Sequence, residues 1–112
     1  MELKSQQNGT MQIVSVHSAR IDAAVAIEFK DAMRQATDSG SPIVILDLSE
    51  VDFIDSSGLG AIVASMKHMG QSRTLALAGL PPTVDKVFRL TRMDSVFSVF
   101  STLDGALDEL KA

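Results

Sequence analysis

The sequence predicts an α/β fold: a mixed, largely parallel sheet with helices packed against it, in the order ββαβαβαβα. Three observations carry this. Asn8-Gly9 separates two strand-like stretches near the start, and Asn-Gly is the strongest short signal for a hairpin. Two nearly unbroken apolar runs, PIVILDL from Pro42 and TLALAGL from Thr74, read as central strands covered on both faces. Around them lie stretches whose apolar residues recur at three- and four-residue steps, the period of an amphipathic helix. Helices alternating with buried strands imply parallel pairing under helical cover.

Each element follows in turn. The hairpin joins Glu2–Gln7 to Thr10–Val16, with Asn8 and Gly9 central to a type I′ turn, where both residues need positive φ. In its second strand Met11, Ile13 and Ser15 face one way, and Gln12, Val14 and Val16 the other. From Asp22 to Ala36 a helix carries Ala26, Phe29, Met33 and Ala36 on one stripe, with Glu28, Lys30, Asp31 and Arg34 around it. Asp22 is its expected N-cap, and Gly40 with Pro42 closes the unit.

PIVILDL is the next strand. A second helix runs from Ser57 to about Met69, with Leu59, Ile62, Val63, Met66 and Met69 as its apolar stripe and Gly70 at its end. TLALAGL follows. Pro81-Pro82 starts a third helix carrying Val84, Val87, Phe88 and Thr91. Ser95–Phe100 is a last short strand. Thr102–Lys111 closes the chain as a helix with Leu103, Ala106, Leu107 and Leu110 inward. No repeat, low-complexity segment or linker interrupts this order, so residues 1–112 read as one domain of a size common among natural domains.

The bulk composition narrows the function classes. Apolar content of 46% and charged content of 21% are globular values. With no cysteine in the chain, disulfides, zinc–thiolate sites and cysteine nucleophiles are excluded. The opening MELKSQQNGT has no apolar core of the kind a signal peptide needs, and no apolar run approaches the roughly 20 residues of a membrane helix. A net charge of −4, with Lys67, Lys86, Arg89 and Arg92 scattered, argues against a nucleic-acid binder. These features set the expectation of a cytoplasmic chain with no membrane insertion.

The chemistry concentrates in DFIDSSGLG, Asp52 to Gly60, where a strand gives way to the second helix. Turn chemistry alone accounts for part of it: Asp55 or Ser56 caps the helix by accepting from its first free amides. One cap suffices, yet three capping residues are present. Gly60 is the second anomaly, since glycine inside a helix costs about 1 kcal/mol relative to alanine. Close approach of another backbone or a partner surface is the usual compensation.

Enzymatic readings fit poorly. A nucleophile elbow built on Ser56 lacks its first glycine, with Ile54 in that place. His68 lies about 18 Å along the same helix, which leaves only His17 as a base. Gly58-Leu59-Gly60 begins a dinucleotide fingerprint, but Val63 occupies its third glycine position, and no G-K-[ST] occurs. Asp47, Glu50, Asp52 and Asp55 do not follow the ligand spacing of a calcium loop. The expectation is therefore no catalytic residue, no metal and no cofactor.

Regulatory phosphorylation is the remaining reading. A phosphate on Ser56 would sit at a helix N-terminus, where free amides and the helix dipole favour negative charge. It would add nearly two negative charges and three acceptor oxygens beside Asp55. A partner packing apolar or acidic groups there would be expelled. On this reading Gly58 and Gly60 keep side chains out of a partner's way.

LDLSEVDFIDSSGLGAIV resembles the signature of STAS domains, the family named for sulphate transporters and anti-sigma factor antagonists. Members carry a strand ending in D-L, a short loop, and D-S-[ST]-G-L-G opening a helix. Ala19-Arg20-Ile21-Asp22, followed by Ala26 and Phe29, resembles the family's G-[RE]-[LI]-D-x-x-x-A stretch; Ala19 stands where the family has glycine. The resemblance spans essentially the whole chain. It implies a single STAS domain and a partner-switching role. Stand-alone bacterial members bind an anti-sigma factor that is also a serine kinase, and so free a sigma factor. The kinase phosphorylates the serine after the motif aspartate, and a PP2C-type phosphatase reverses this.

Carried onto this chain, the resemblance makes Ser56 the phosphoacceptor, with Ser57 a second candidate. Asp22, Asp55, Ser57, Gly58, Leu59 and Gly60 become the partner-binding residues. Similar small STAS proteins serve stress, sporulation, biofilm or motility switches. Others are accessory subunits of a lipid-transport ABC complex, which is the alternative role.

Overall fold

The computed structural model describes residues 1–111; Ala112, the last residue of the expected domain, lies outside them. Strands β1 (Leu3–Asn8) and β2 (Met11–Val16) form the antiparallel hairpin. The turn sits one residue later than Asn-Gly suggests. Asn8 pairs with Met11, so Gly9 and Thr10 are the central residues, and of these only Gly9 has positive φ, +62°. A type I′ turn needs positive φ at both; Asn8 is instead the last rung of the ladder.

From β2 the chain passes through β3 (Arg20–Ile21) into α1 (Ala26–Ala36). It continues as β4 (Ile43–Asp47), β5 (Phe53–Ile54), α2 (Ser56–Met69), β6 (Thr74–Ala78), α3 (Pro82–Leu90), β7 (Ser98–Phe100) and α4 (Leu103–Leu110). The main sheet has the order β1-β2-β4-β6-β7, with every pair after the hairpin parallel. The α/β class and the largely parallel sheet are as the sequence predicts. The element order differs by β3 and β5, which pair with each other outside the main sheet.

Helices α1, α2 and α3 cover one face of the main sheet and α4 the other. Strand alternation explains the asymmetry. On β6, Leu75 and Leu77 enter the three-helix side, packing with Val14, Val44, Leu46, Phe29, Ile62 and Phe88. Ala76 and Ala78 face α4, where Ala106 is fully buried against them. Small residues on both surfaces let this single helix lie close.

Three other expectations shift. Asp22 does not cap α1: its Oδ1 accepts from Ala24 N–H (3.1 Å) and its carbonyl from Val25 N–H (3.1 Å). That closes a separate turn, and α1 starts after Val25 with no side-chain cap. On α2 the buried residues are Gly58, Ala61, Ile62, Ser65 and Met69, while Leu59, Val63 and Met66 are half-buried at the flank. The helix packs its small residues inward, which turns the buried stripe away from the larger ones. Finally, Met93–Ser95 forms a 3₁₀ turn, so the last strand begins at Ser98 rather than Ser95. Phe97 is drawn into the core beside Phe88, edge to face at 6.2 Å.

One buried polar residue ties the hairpin to α1. Gln12 is 2% exposed; its Nε2 donates to the Ala36 carbonyl and to Ser5 Oγ. Among the described residues no helix is long and apolar enough to cross a membrane.

Candidate functional site

The parallel strands β2, β4 and β6 point their carboxyl ends the same way, the end where ligands and partners are met in open α/β sheets. There the chain leaves β2 toward β3, and leaves β4 toward β5. Because β3 and β5 pair in parallel, with Arg20 opposite Phe53 and Ile21 opposite Ile54, the two loops lie side by side. Asp52 N–H donates to the Ala19 carbonyl at 2.9 Å. From the α3 side, Thr83 Oγ1 donates to the Asp52 carbonyl at 3.2 Å.

Asp55 joins these segments at the start of α2. Its Oδ1 accepts from Gly58 N–H at 2.9 Å, making it the N-cap. Its Oδ2 accepts from Ala23 N–H at 3.1 Å, in the turn that leads into α1. One carboxylate thus satisfies an amide of the α2 opening and an amide of the turn that precedes α1. The Gly58 amide holds its pKa below the usual carboxylate value; partial burial opposes this, and the Ala23 amide adds to the lowering.

With Asp55 as the cap, Ser56 is the first residue of α2 and is exposed, as is Ser57. Neither hydroxyl makes a hydrogen bond among the described residues. The sequence offered Asp55 or Ser56 as the cap; the geometry assigns it to Asp55 and leaves Ser56 exposed.

The two glycines turn out to differ. Gly58 is buried, and a Cβ there would lie 1.9 Å from the Ile21 carbonyl oxygen and 2.7 Å from its carbon. Its lack of a side chain serves this close approach of α2 to β3, not clearance for a partner, which corrects the reason given from sequence. Gly60 is exposed, and a Cβ there would meet nothing within 4 Å. Nothing among the described residues explains it. Leu59 is half-buried against the core.

Asp22 stands next to Ala23 and so beside Asp55. Its Oδ2 pairs with Arg20 Nε at 3.1 Å. Arg20 in turn lays its guanidinium over the Phe53 ring, 4.3 Å from the centroid. Phe53 is 41% exposed. Sequence reasoning passed over both residues, because two-residue strands leave no periodicity to read.

Other polar groups here are engaged elsewhere. His17 Nδ1 meets Glu50 Oε2 at 2.8 Å, and Asp47 Oδ1 accepts from Ser49 N–H at 3.0 Å. His68 lies in the last turn of α2, at the far end from Ser56. Among the described residues no group of three or more histidine or acidic side chains is arranged to hold a metal ion.

Comparison with known proteins bears on the family and the fold. A family described as the STAS domain matches residues 2–106. The chain is similar to the anti-sigma-F factor antagonist RsfB of Mycobacterium tuberculosis, 29% identical over 87 residues, covering 78% of this chain and 71% of that protein. It is similar to the anti-sigma-B factor antagonist of Listeria monocytogenes, 26% identical over 100 residues, 88% of each. The crystal structure of an anti-sigma factor antagonist from Mycobacterium paratuberculosis matches with a TM-score of 0.88 at 26% identity, covering 99% of this chain and 94% of that one. Motif, topology and family match coincide, and the chain belongs to the STAS domain family.

Proposed function

We propose that this chain is an anti-sigma factor antagonist, a binding module switched by phosphorylation of Ser56. The relatives named above support the antagonist role. The observation that carries the switch is the exposed, unbonded Ser56 hydroxyl on the first residue of α2, next to a cap supplied by Asp55. A phosphate there gains the helix dipole and nearby amides without displacing the cap. The fold therefore tolerates the modification, and its effect falls on the surface. About two added negative charges would expel a partner that packs apolar or acidic groups around Asp22, Asp55, Ser57, Leu59 and Gly60.

Unphosphorylated, the module sequesters an anti-sigma factor that is also its serine kinase. A PP2C-type phosphatase restores binding, and the cycle runs in the cytoplasm. The test is retention of a partner from lysate of the native host on immobilised Ser56→Ala and Ser56→Asp forms. Retention of a kinase-like anti-sigma factor by the alanine form alone supports the switch. Equal retention by both forms refutes it, and transporter components in the eluate would move the chain to the accessory-subunit role.

A further inference from the structure

Phe53 is the one large aromatic that the fold leaves substantially open: Phe29, Phe88 and Phe97 are buried, and Phe100 is half-buried against the α4 side of the sheet. It belongs to neither core cluster, so its ring lies outside the packed interior. The ring is nevertheless held in place. β5 pairs with β3, Arg20 stands directly opposite, and the guanidinium lies 4.3 Å over the ring centroid. That guanidinium is itself tethered through Nε to Asp22. Its terminal nitrogens make no hydrogen bond among the described residues, and the side chain is 59% exposed. Exposed aromatics and arginines that are already ordered are the residue types that dominate binding energy at interfaces, because little rotamer freedom remains to be lost.

Position adds a second reason. Phe53 lies three residues before Ser56 on the same segment, and Asp22, which holds Arg20, adjoins the turn that Asp55 clamps. The pair is therefore continuous with the surface that Ser56 controls.

We infer that Phe53 and Arg20 form the fixed anchor of the partner surface, accepting an anti-sigma factor that offers an apolar pocket for the ring and a carboxylate at its lip for the guanidinium. This inference rests on the proposed switch and gives it a mechanism. A phosphate on Ser56 repels the lip carboxylate and competes with it for Arg20, so a partner of this chemistry is the kind that phosphorylation releases.

The test places the photo-crosslinking analogue p-benzoylphenylalanine at position 53, 57 or 90 of the Ser56→Ala chain in the native host. Leu90, 73% exposed at the far end of α3, is the control. An adduct with a kinase-like anti-sigma factor from position 53, absent from position 90 and lost in the Ser56→Asp background, is the expected result. An adduct from position 57 without one from 53 overturns the anchor and leaves the switch standing; adducts from neither overturn both. With the captured partner purified, Phe53→Ala should weaken binding roughly tenfold or more while leaving the unfolding midpoint near that of the parent. Arg20→Glu should weaken it further than Arg20→Gln. Equal or tighter binding by Arg20→Glu would mean a basic lip and would overturn the stated chemistry.

Discussion

A Cβ at position 58 would stand 1.9 Å from the carbonyl oxygen of Ile21, so the start of α2 and the end of β3 leave no space for a side chain between them. No side-chain rotation relieves that contact, because the opposing atom is main chain. Gly58→Ala must therefore separate α2 from β3 and strain the Asp55 cap. The expected outcome is strong destabilisation, in the range above about 3 kcal/mol reached by severe overpacking, read from urea unfolding. Gly60→Ala should do the reverse. Its site is open, so the chain gains about 0.5–1 kcal/mol of helix propensity. If the surface serves a partner, that more stable variant binds less well, and the two measurements move in opposite directions.

Asp55 predicts a pH dependence. Its carboxyl pKa is lowered in the folded chain from a starting value of 3.8, chiefly by the Gly58 amide. A lowered folded value means that the contribution is fully present above the unfolded value and fades as pH falls through the folded one. Asp55→Asn removes the ionised cap and should lower the unfolding midpoint at neutral pH. The gap between variant and parent should narrow below about pH 4. A gap constant from pH 7 down to strongly acid conditions would contradict the assignment.

Ser56 should be thermodynamically quiet. Because its hydroxyl is exposed and unbonded, Ser56→Ala should change stability by no more than about 0.5 kcal/mol. Phosphoserine at 56 should leave the chain folded, with near-unchanged circular dichroism and a midpoint at or above that of the parent. Loss of structure on phosphorylation would move the switch from the surface to the fold.

The α4 face supplies a stability test remote from the site. Ala76 of β6 is fully buried against α4, in a cluster with Ala78 and Ala106. Ala76→Leu should cost about 1–3 kcal/mol by overpacking. Partner binding at the start of α2, on the other face of the sheet, should persist, as measured by titration calorimetry.

The readable parts of this fold were those with enough length to show a period. PIVILDL and TLALAGL announced central strands, and Ala26, Phe29 and Met33 announced α1, because burial repeats along them. What escaped was built from pieces too short to repeat. Two two-residue strands, β3 and β5, create the site by laying the Ala19–Asp22 and Asp52–Asp55 segments side by side, and no local pattern marks a pairing 33 residues apart. The capping signal at Asp55 was legible; its second bond, to Ala23, was not, because it depends on that pairing. Gly58 and Gly60 were given the same role from sequence, and only the position of Ile21 separates a glycine needed by the fold from one that it does not use.

The small β3–β5 ladder also has a consequence for how such a chain can change over time. The recognition segments hang from their own two rungs and share no register with the five-stranded sheet. Substitutions at Arg20, Phe53 or the exposed loop residues Ser49, Glu50 and Asp52 fall outside the ladder of β2, β4 and β6 and outside the buried core. A duplicated copy could thus acquire a different partner by drift at this one end, while inheriting its core intact.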